Sequence, residues 1–277
     1  MAIFEILIEM FSFTFLARAM VVGLLVSLCA ALLGVNLVLK RYAMIGTSLS
    51  HVGFAAMVIA MAMDFAHFTV TLPIVVLAAF FLLRLNENSK INGDSAVALI
   101  STSSLAVGII IVSRTTGLNT DVCGVMFGSI LAMTRADVQL SIALSAVVII
   151  LFVLFYKQLF AVTYDETFAK ATGTKVGVYK SILALLTAVT VVLGMRMMGA
   201  LLIASLTIFP ALSSMRLCKR FLSVVITSAI IAVVCFFVGM VLSYMFDLPP
   251  GASVVAANLA VFLLFNTVAL ARQGGRI

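Results

Sequence analysis

Charge is what this sequence has least of: Asp, Glu, Lys and Arg supply 10% of its 277 residues, where a soluble domain carries about 25%. A water-soluble fold is thereby excluded. Cysteine pairs are missing too. Cys29, Cys123, Cys218 and Cys235 stand singly in or beside apolar runs, with neither the spacing of a zinc site nor a disulfide framework, and read as small packing residues. The first twelve residues, MAIFEILIEMFS, hold Glu5 and Glu9 and no basic residue. They lack the positive start of a cleavable signal peptide, so the segment is expected to stay on the chain as a short helix at the membrane surface.

Catalytic signatures are equally absent. There is no HExxH, no GxSxG, no GxxxxGK[ST] and no pair of intramembrane aspartates, so the residue sets of metalloproteases, hydrolases and intramembrane proteases are not there. Without a phosphate-cradling loop the chain does not hydrolyse ATP. If it is part of an active pump, the engine is another polypeptide.

What the sequence has in abundance is apolar surface: 64% of residues are hydrophobic and the mean hydropathy is +1.31. Helix crosses about 30 Å of hydrocarbon in about 20 residues. Stretches of that length recur near 13–39, 45–63, 68–84, 94–113, 137–156, 178–195, 198–216, 221–246 and 251–271. The sequence therefore predicts an all-α integral membrane protein, a polytopic bundle of eight to nine transmembrane helices. The count falls to eight if the short stretch 68–84 does not cross. All of 1–277 reads as a single transmembrane domain.

The formal net charge of +7 does not point to nucleic acid, because the bases are scattered between apolar runs rather than gathered on one soluble face. Threaded with the N-terminus outside, nine spans put thirteen of the seventeen Lys and Arg on one side, among them Lys40, Arg41, Lys157, Lys170, Lys175, Lys180, Arg272 and Arg276. Only Arg114 and Arg135 fall in loops on the other. The positive-inside rule makes the richer side, with the C-terminus, cytoplasmic.

Two loops stand out. Segment 157–177, YKQLFAVTYDETFAKATGTKV, is the longest on the cytoplasmic side, mixes both charge signs, and predicts a short amphipathic helix from Asp165 to Thr172 ending at Gly173. It is suited to touching another protein. The outer segment 114–136 is too short and too broken by glycine to span, and predicts a re-entrant or surface helix.

Ionisable groups inside a membrane are costly, and each is a candidate functional site. His51 lies in MIGTSLSHVGFAAMVIAM, within the second span. Thr47 is four residues earlier and shares its helix face. Ser48 and Ser50 complete a polar stretch. Imidazole is the commonest protein ligand for transition metals, and a hydroxyl or carbonyl beside it completes a weak, exchangeable site. The competing reading is that His51 hydrogen-bonds a neighbouring helix and holds the bundle together. Asp64 and His67, at the outer end of the same hairpin, could form an entry site, but with no second carboxylate or His nearby they read rather as an ordinary solvated loop. Arg18 and Arg196 sit near span ends. Arg18 can snorkel there, and Arg196 is expected to reach interfacial water or an acid of the outer loop.

Three elements resemble the permeases of bacterial ATP-binding-cassette importers for zinc, manganese and iron, and the likeness runs over roughly residues 24–271. GVNLVLKRYAMIGTSLSHVGFA resembles that family's first cytoplasmic turn and second span. YDETFAKATGTKV is similar to its coupling segment in the placement of Asp165, Phe168, Ala169 and Gly173. MMGALLIASLTIFPALSSMRL resembles the following span, with Pro210 and Ala211 near its inner end. The resemblance implies a permease in a bacterial cell membrane, working as a homodimer by alternating access. Cytoplasmic ATPase subunits would dock on the coupling segments and use the ATP. An extracytoplasmic metal-binding protein would deliver a divalent ion that passes as cargo, with no cofactor bound tightly. It also implies that His51 touches the metal in transit, with Thr47 and Ser50 lining the path. One departure matters: where much of the family carries an Asp four residues before the His, this chain has Thr47, so the path lacks a carboxylate there. A proton- or sodium-coupled secondary transporter is the alternative, and the absence of a midplane carboxylate counts against it.

Overall fold

The computed structural model describes residues 9, 12–63, 65, 67–88, 93–115 and 135–274. Eleven described helices follow in order: α1 (Thr14–Leu39), α2 (Ala43–Ala62), α3 (His67–Asn88), α4 (Gly93–Arg114), α5 (Arg135–Leu154), α6 (Tyr156–Tyr164), α7 (Glu166–Ala171), α8 (Val176–Met198), α9 (Ala200–Leu217), α10 (Phe221–Phe246) and α11 (Pro250–Gly274). Among the described residues, α1, α2, α4, α5 and α8 to α11 are the eight helices long and apolar enough to cross a bilayer. In lipid no water satisfies backbone N–H and C=O groups, and a helix satisfies them within its own segment. The expected stretch 68–84 is helical as well. It forms the body of the 22-residue α3, whose apolar part is the shorter Val70–Arg84. Most of the outer segment 114–136 lies outside the described residues, as do Asp64 and Cys123.

The connections set the helix ends. α1 stops at Lys40, and the next residue, Arg41, takes the left-handed conformation at φ 61°. That lets Tyr42 N–H donate to the Leu37 carbonyl at 2.7 Å and turns the chain directly into α2. At the other side of the bundle Asp247, at φ 51°, ends α10. Pro250 then opens α11 at the position where a missing N–H costs nothing.

α1 and α2 form the centre. The span of α2 is 72% buried and that of α1 67%, against 17% for α11 and 28% for α4 and α5. α1 packs on α8, α9 and α10, while α2 packs on α3, α4, α8 and α9. Where α1 meets α9, a side chain at Gly34 would run into the carbonyl of Thr207, so the two backbones approach as closely as glycine alone permits. Leu33, Leu49, Phe54, Leu193, Met195, Leu202, Ile203 and Phe236 are fully buried around this centre.

Candidate functional site

The polar stretch of α2 lies along its seam with α4. Ser48 Oγ donates to the Val97 carbonyl at 3.3 Å. One turn further along, His51 Nδ1 shares a 2.7 Å hydrogen bond with Ser101 Oγ. Val97 and Ser101 are four apart, so α4 presents both partners to one face of α2. The structure leaves Thr47 and His51 half-buried and Ser50 fully buried, with the Ser50 hydroxyl bound to the Gly46 carbonyl of its own helix. Thr47 and His51 are thus the accessible members of the predicted set.

Ser101 decides what the imidazole can do. When Nδ1–H donates to the serine oxygen, the lone pair of Nε2 is free for a metal ion and the ring plane is fixed, the usual outer-sphere support of a ligating histidine. When the serine donates instead, Nε2 carries the proton and acts as a donor. Among the described residues no three His, Cys, Asp or Glu side chains gather as a metal-binding cluster. The donor set at this place is one imidazole with hydroxyls and carbonyls around it. Sequence reasoning missed Ser101, and no local signal marks it, since it lies 50 residues away on another helix.

The second site is the segment between α5 and α8. It holds two helices where the sequence predicts one, because Leu159 and Val162 in YKQLFAVTY are three apart and both bury against the bundle. α6 is tied to α1 by Thr163 Oγ1, which donates to Asn36 Oδ1 at 2.9 Å. Asp165 then caps α7: its Oδ1 accepts from the backbone N–H groups of Thr167 at 2.9 Å and Phe168 at 3.0 Å. The helix ends at Thr172, followed by Gly173 at φ 82°, a conformation that glycine adopts without strain.

The four predicted coupling residues therefore divide by role. Asp165 and Gly173 shape the two ends of α7. Ala169 is fully buried against Val162 and Val176 and pins the helix inward. Phe168 is 64% exposed and, with Tyr164 at 83%, forms the outward face. Beside them a groove of about 480 Å³ opens between α6 and the start of α8, lined by Phe155, Gln158, Gly173, Lys175 and Tyr179 among others.

Glu166, which the sequence did not single out, ties the segment down. Its Oε1 accepts from Lys40 Nζ and its Oε2 from Lys180 Nζ, each at 2.7 Å. Burial pushes this carboxyl upward, but hydrogen bonds from Lys180 and Lys40 and their positive charges outweigh it and hold the group below its ordinary range. At the opposite end of the bundle Arg196 meets Asp137 in a bidentate pair of 2.8 and 2.9 Å, joining the end of α8 to the start of α5. The partner of Arg196 is thus neither interfacial water nor an acid of the outer loop, as the sequence suggests, but one in the first turn of a span.

The comparisons with known proteins agree with this architecture. The chain matches the ABC 3 transport family over residues 12–269. It is 27% identical to the manganese import system permease protein ScaB of Streptococcus gordonii over 252 residues, 91% of this chain and 90% of that one. To the high-affinity zinc uptake system membrane protein ZnuB of Haemophilus influenzae it is 27% identical over 253 residues, 91% of this chain and 97% of that one. Its fold superposes on PsaBC from Streptococcus pneumoniae, solved in complex with Fab, with a TM-score of 0.84 at 27% identity, covering 94% of both chains. The match extends over nearly all of the bundle and both sites, and this multi-pass membrane protein belongs to the ABC 3 transport family.

Proposed function

We propose that the chain is the membrane permease of an ATP-driven importer for a divalent transition-metal ion such as manganese, zinc or iron. The observation that carries this reading is the half-buried His51 of α2, oriented by Ser101 and sharing its face with Thr47 in the most enclosed helix of the bundle. The names of the relatives, a manganese importer and a zinc uptake system, support the cargo class. In this reading the permease works as a homodimer and takes its ion from an extracytoplasmic metal-binding protein. His51 touches the ion in transit, with Thr47 lining the path, while Ser50 holds the helix packing beneath them. Asp165, Phe168, Ala169 and Gly173 present the docking surface for two cytoplasmic ATPase subunits, whose closing and reopening alternates the access of the path. The N-terminus lies outside, and the coupling segment and C-terminus are cytoplasmic.

Among the described residues, Asp137, Asp165, Glu166 and Asp247 stand at helix ends. That placement disfavours a proton- or sodium-coupled secondary transporter, which needs carboxylates near the midplane. The test is uptake of manganese or zinc into proteoliposomes holding the permease with its ATPase. Uptake that requires ATP supports the importer. Uptake driven by a proton or sodium gradient without ATP refutes it.

A further inference from the structure

We infer that Glu166 is the joint that carries motion of the coupling segment into α1, α2 and α8, and so is a positioning residue for transport. This rests on the reading of that segment as the ATPase docking surface. The two oxygens of one carboxylate hold two different helices: Oε1 takes Lys40 at the end of α1, and Oε2 takes Lys180 in the first turns of α8, both at 2.7 Å. The lysine side chains are 4% and 9% exposed and the carboxylate 36%. The joint is therefore closed on the side of the bundle and open on the side of the segment.

α7 is six residues long, too short to hold its place by helix formation alone. Glu166 and Ala169, three apart, share its inward face, while Phe168 points out. The apolar hold of Ala169 on Val162 and Val176 tolerates sliding, because dispersion contacts have no preferred direction. A charge-assisted hydrogen bond does not slide: its strength falls off within a few tenths of an ångström and with misalignment. A displacement of α7 therefore drags both lysines or breaks both bonds.

What the lysines are attached to gives this consequence. Lys40 caps α1 and enters the tight turn through Arg41 and Tyr42 that starts α2. Thr47 and His51 follow on that same helix. Lys180 belongs to α8, which packs on α1, α2 and α3. Beneath the joint a small cavity, lined by Leu37, Lys40, Tyr42, Leu49, Ala79 and Lys180 among others, marks the junction of α1, α2, α3 and α8. At about 20 Å³ it has room for roughly one water, so the turn between α1 and α2 packs closely against α8 and a pull on Lys40 is passed to both. The joint thus links the outward Phe168 to the helix of His51 through one carboxylate and one turn.

The experiment compares wild type, Glu166→Gln, Lys40→Met and Lys180→Met in proteoliposomes with the partner ATPase, reading manganese taken up per ATP hydrolysed. We expect Glu166→Gln to recover the ATPase and hydrolyse ATP within about twofold of wild type, while uptake per ATP falls about tenfold, a coupling loss of the ordinary allosteric size. Each lysine variant removes one arm and is expected to fall between the two. Glu166→Asp, which keeps the charge on a shorter arm, should regain part of the ratio. Should Glu166→Gln fail to assemble, the single-arm lysine variants are read by the same ratio. An unchanged ratio, with uptake and hydrolysis falling together, would make Glu166 a static clip and overturn the inference while leaving the importer standing. A wild-type complex without ATP-dependent uptake would overturn both.

Discussion

Ser101 on α4 holds the Nδ1 of His51 on α2 at 2.7 Å, so the imidazole in the centre of the bundle is aimed by a residue from another helix. Replacing His51 with Ala should cut metal uptake per folded molecule by about tenfold or more, and Ser101→Ala by less, because an outer-sphere partner orients a ligand that is still present. If the pair is only interhelical glue, both variants should instead cost stability, by the roughly 0.6 kcal/mol typical of such bonds in membranes, seen as a lower thermal midpoint. Normal uptake per folded molecule in His51→Ala would end the ligand reading.

Thr47 is half-buried on the His51 face. Thr47→Asp places a carboxylate one turn before the imidazole, adding charge and an oxygen ligand. The purified variant should retain more manganese or zinc per protein after desalting than wild type, measured by elemental analysis. Equal retention would place the two side chains outside a common coordination sphere.

Ala169 and Phe168 make a paired test of the coupling segment. Ala169→Asp puts a carboxylate into a space that fits a methyl group, and an uncompensated buried charge costs on the order of 3 kcal/mol. α7 should detach and the ATPase should fail to co-purify. Phe168→Ala removes an exposed ring, so it should weaken ATPase recovery with the thermal midpoint of the permease unchanged. Full recovery of the ATPase with both variants would move the docking surface elsewhere.

Glu166 gives a pH dependence of definite sign. Its folded pKa is held below the ordinary value of 4.5, so the protonated form is disfavoured in the fold. Its contribution to stability is fully present above the unfolded value and is lost as pH falls through the folded one. Acidification below about pH 4.5 should therefore lower the thermal midpoint of wild type more than that of Glu166→Gln. Parallel curves for the two proteins would contradict this.

The proposed orientation predicts that single cysteines introduced at exposed Lys170 and exposed Leu248 label from opposite sides. In intact cells, with the native cysteines removed, an impermeant thiol reagent should reach Leu248→Cys and leave Lys170→Cys unmodified. Labelling of Lys170→Cys from outside would invert the topology.

The helices themselves were legible one-dimensionally. Apolar runs at 13–39, 221–246 and 251–271 became Thr14–Leu39, Phe221–Phe246 and Pro250–Gly274, because in hydrocarbon every uninterrupted apolar run must satisfy its backbone internally and helix does so. The cap at Asp165 and the stop at Gly173 were legible for a similar reason. Carboxylates accept from free N–H groups at helix starts, and glycine takes positive φ, whatever surrounds them.

Which faces of those helices meet was settled by the tertiary structure alone. A helix that is apolar all round carries no stripe to say where its neighbours lie, so nothing along the chain pairs His51 with Ser101 or Lys40 with Glu166, which are 126 residues apart. Ala169 shows the same limit at short range: a small apolar residue suits an outer surface or a tight interior, and only the approach of Val162 and Val176 places it inside. The sequence by itself determined the membrane fold, the order of spans and the rare polar residues within them, because those follow from local hydration energies. The tertiary structure decided which polar groups share a hydrogen bond and which face the open side, because those depend on close packing between segments far apart in the chain.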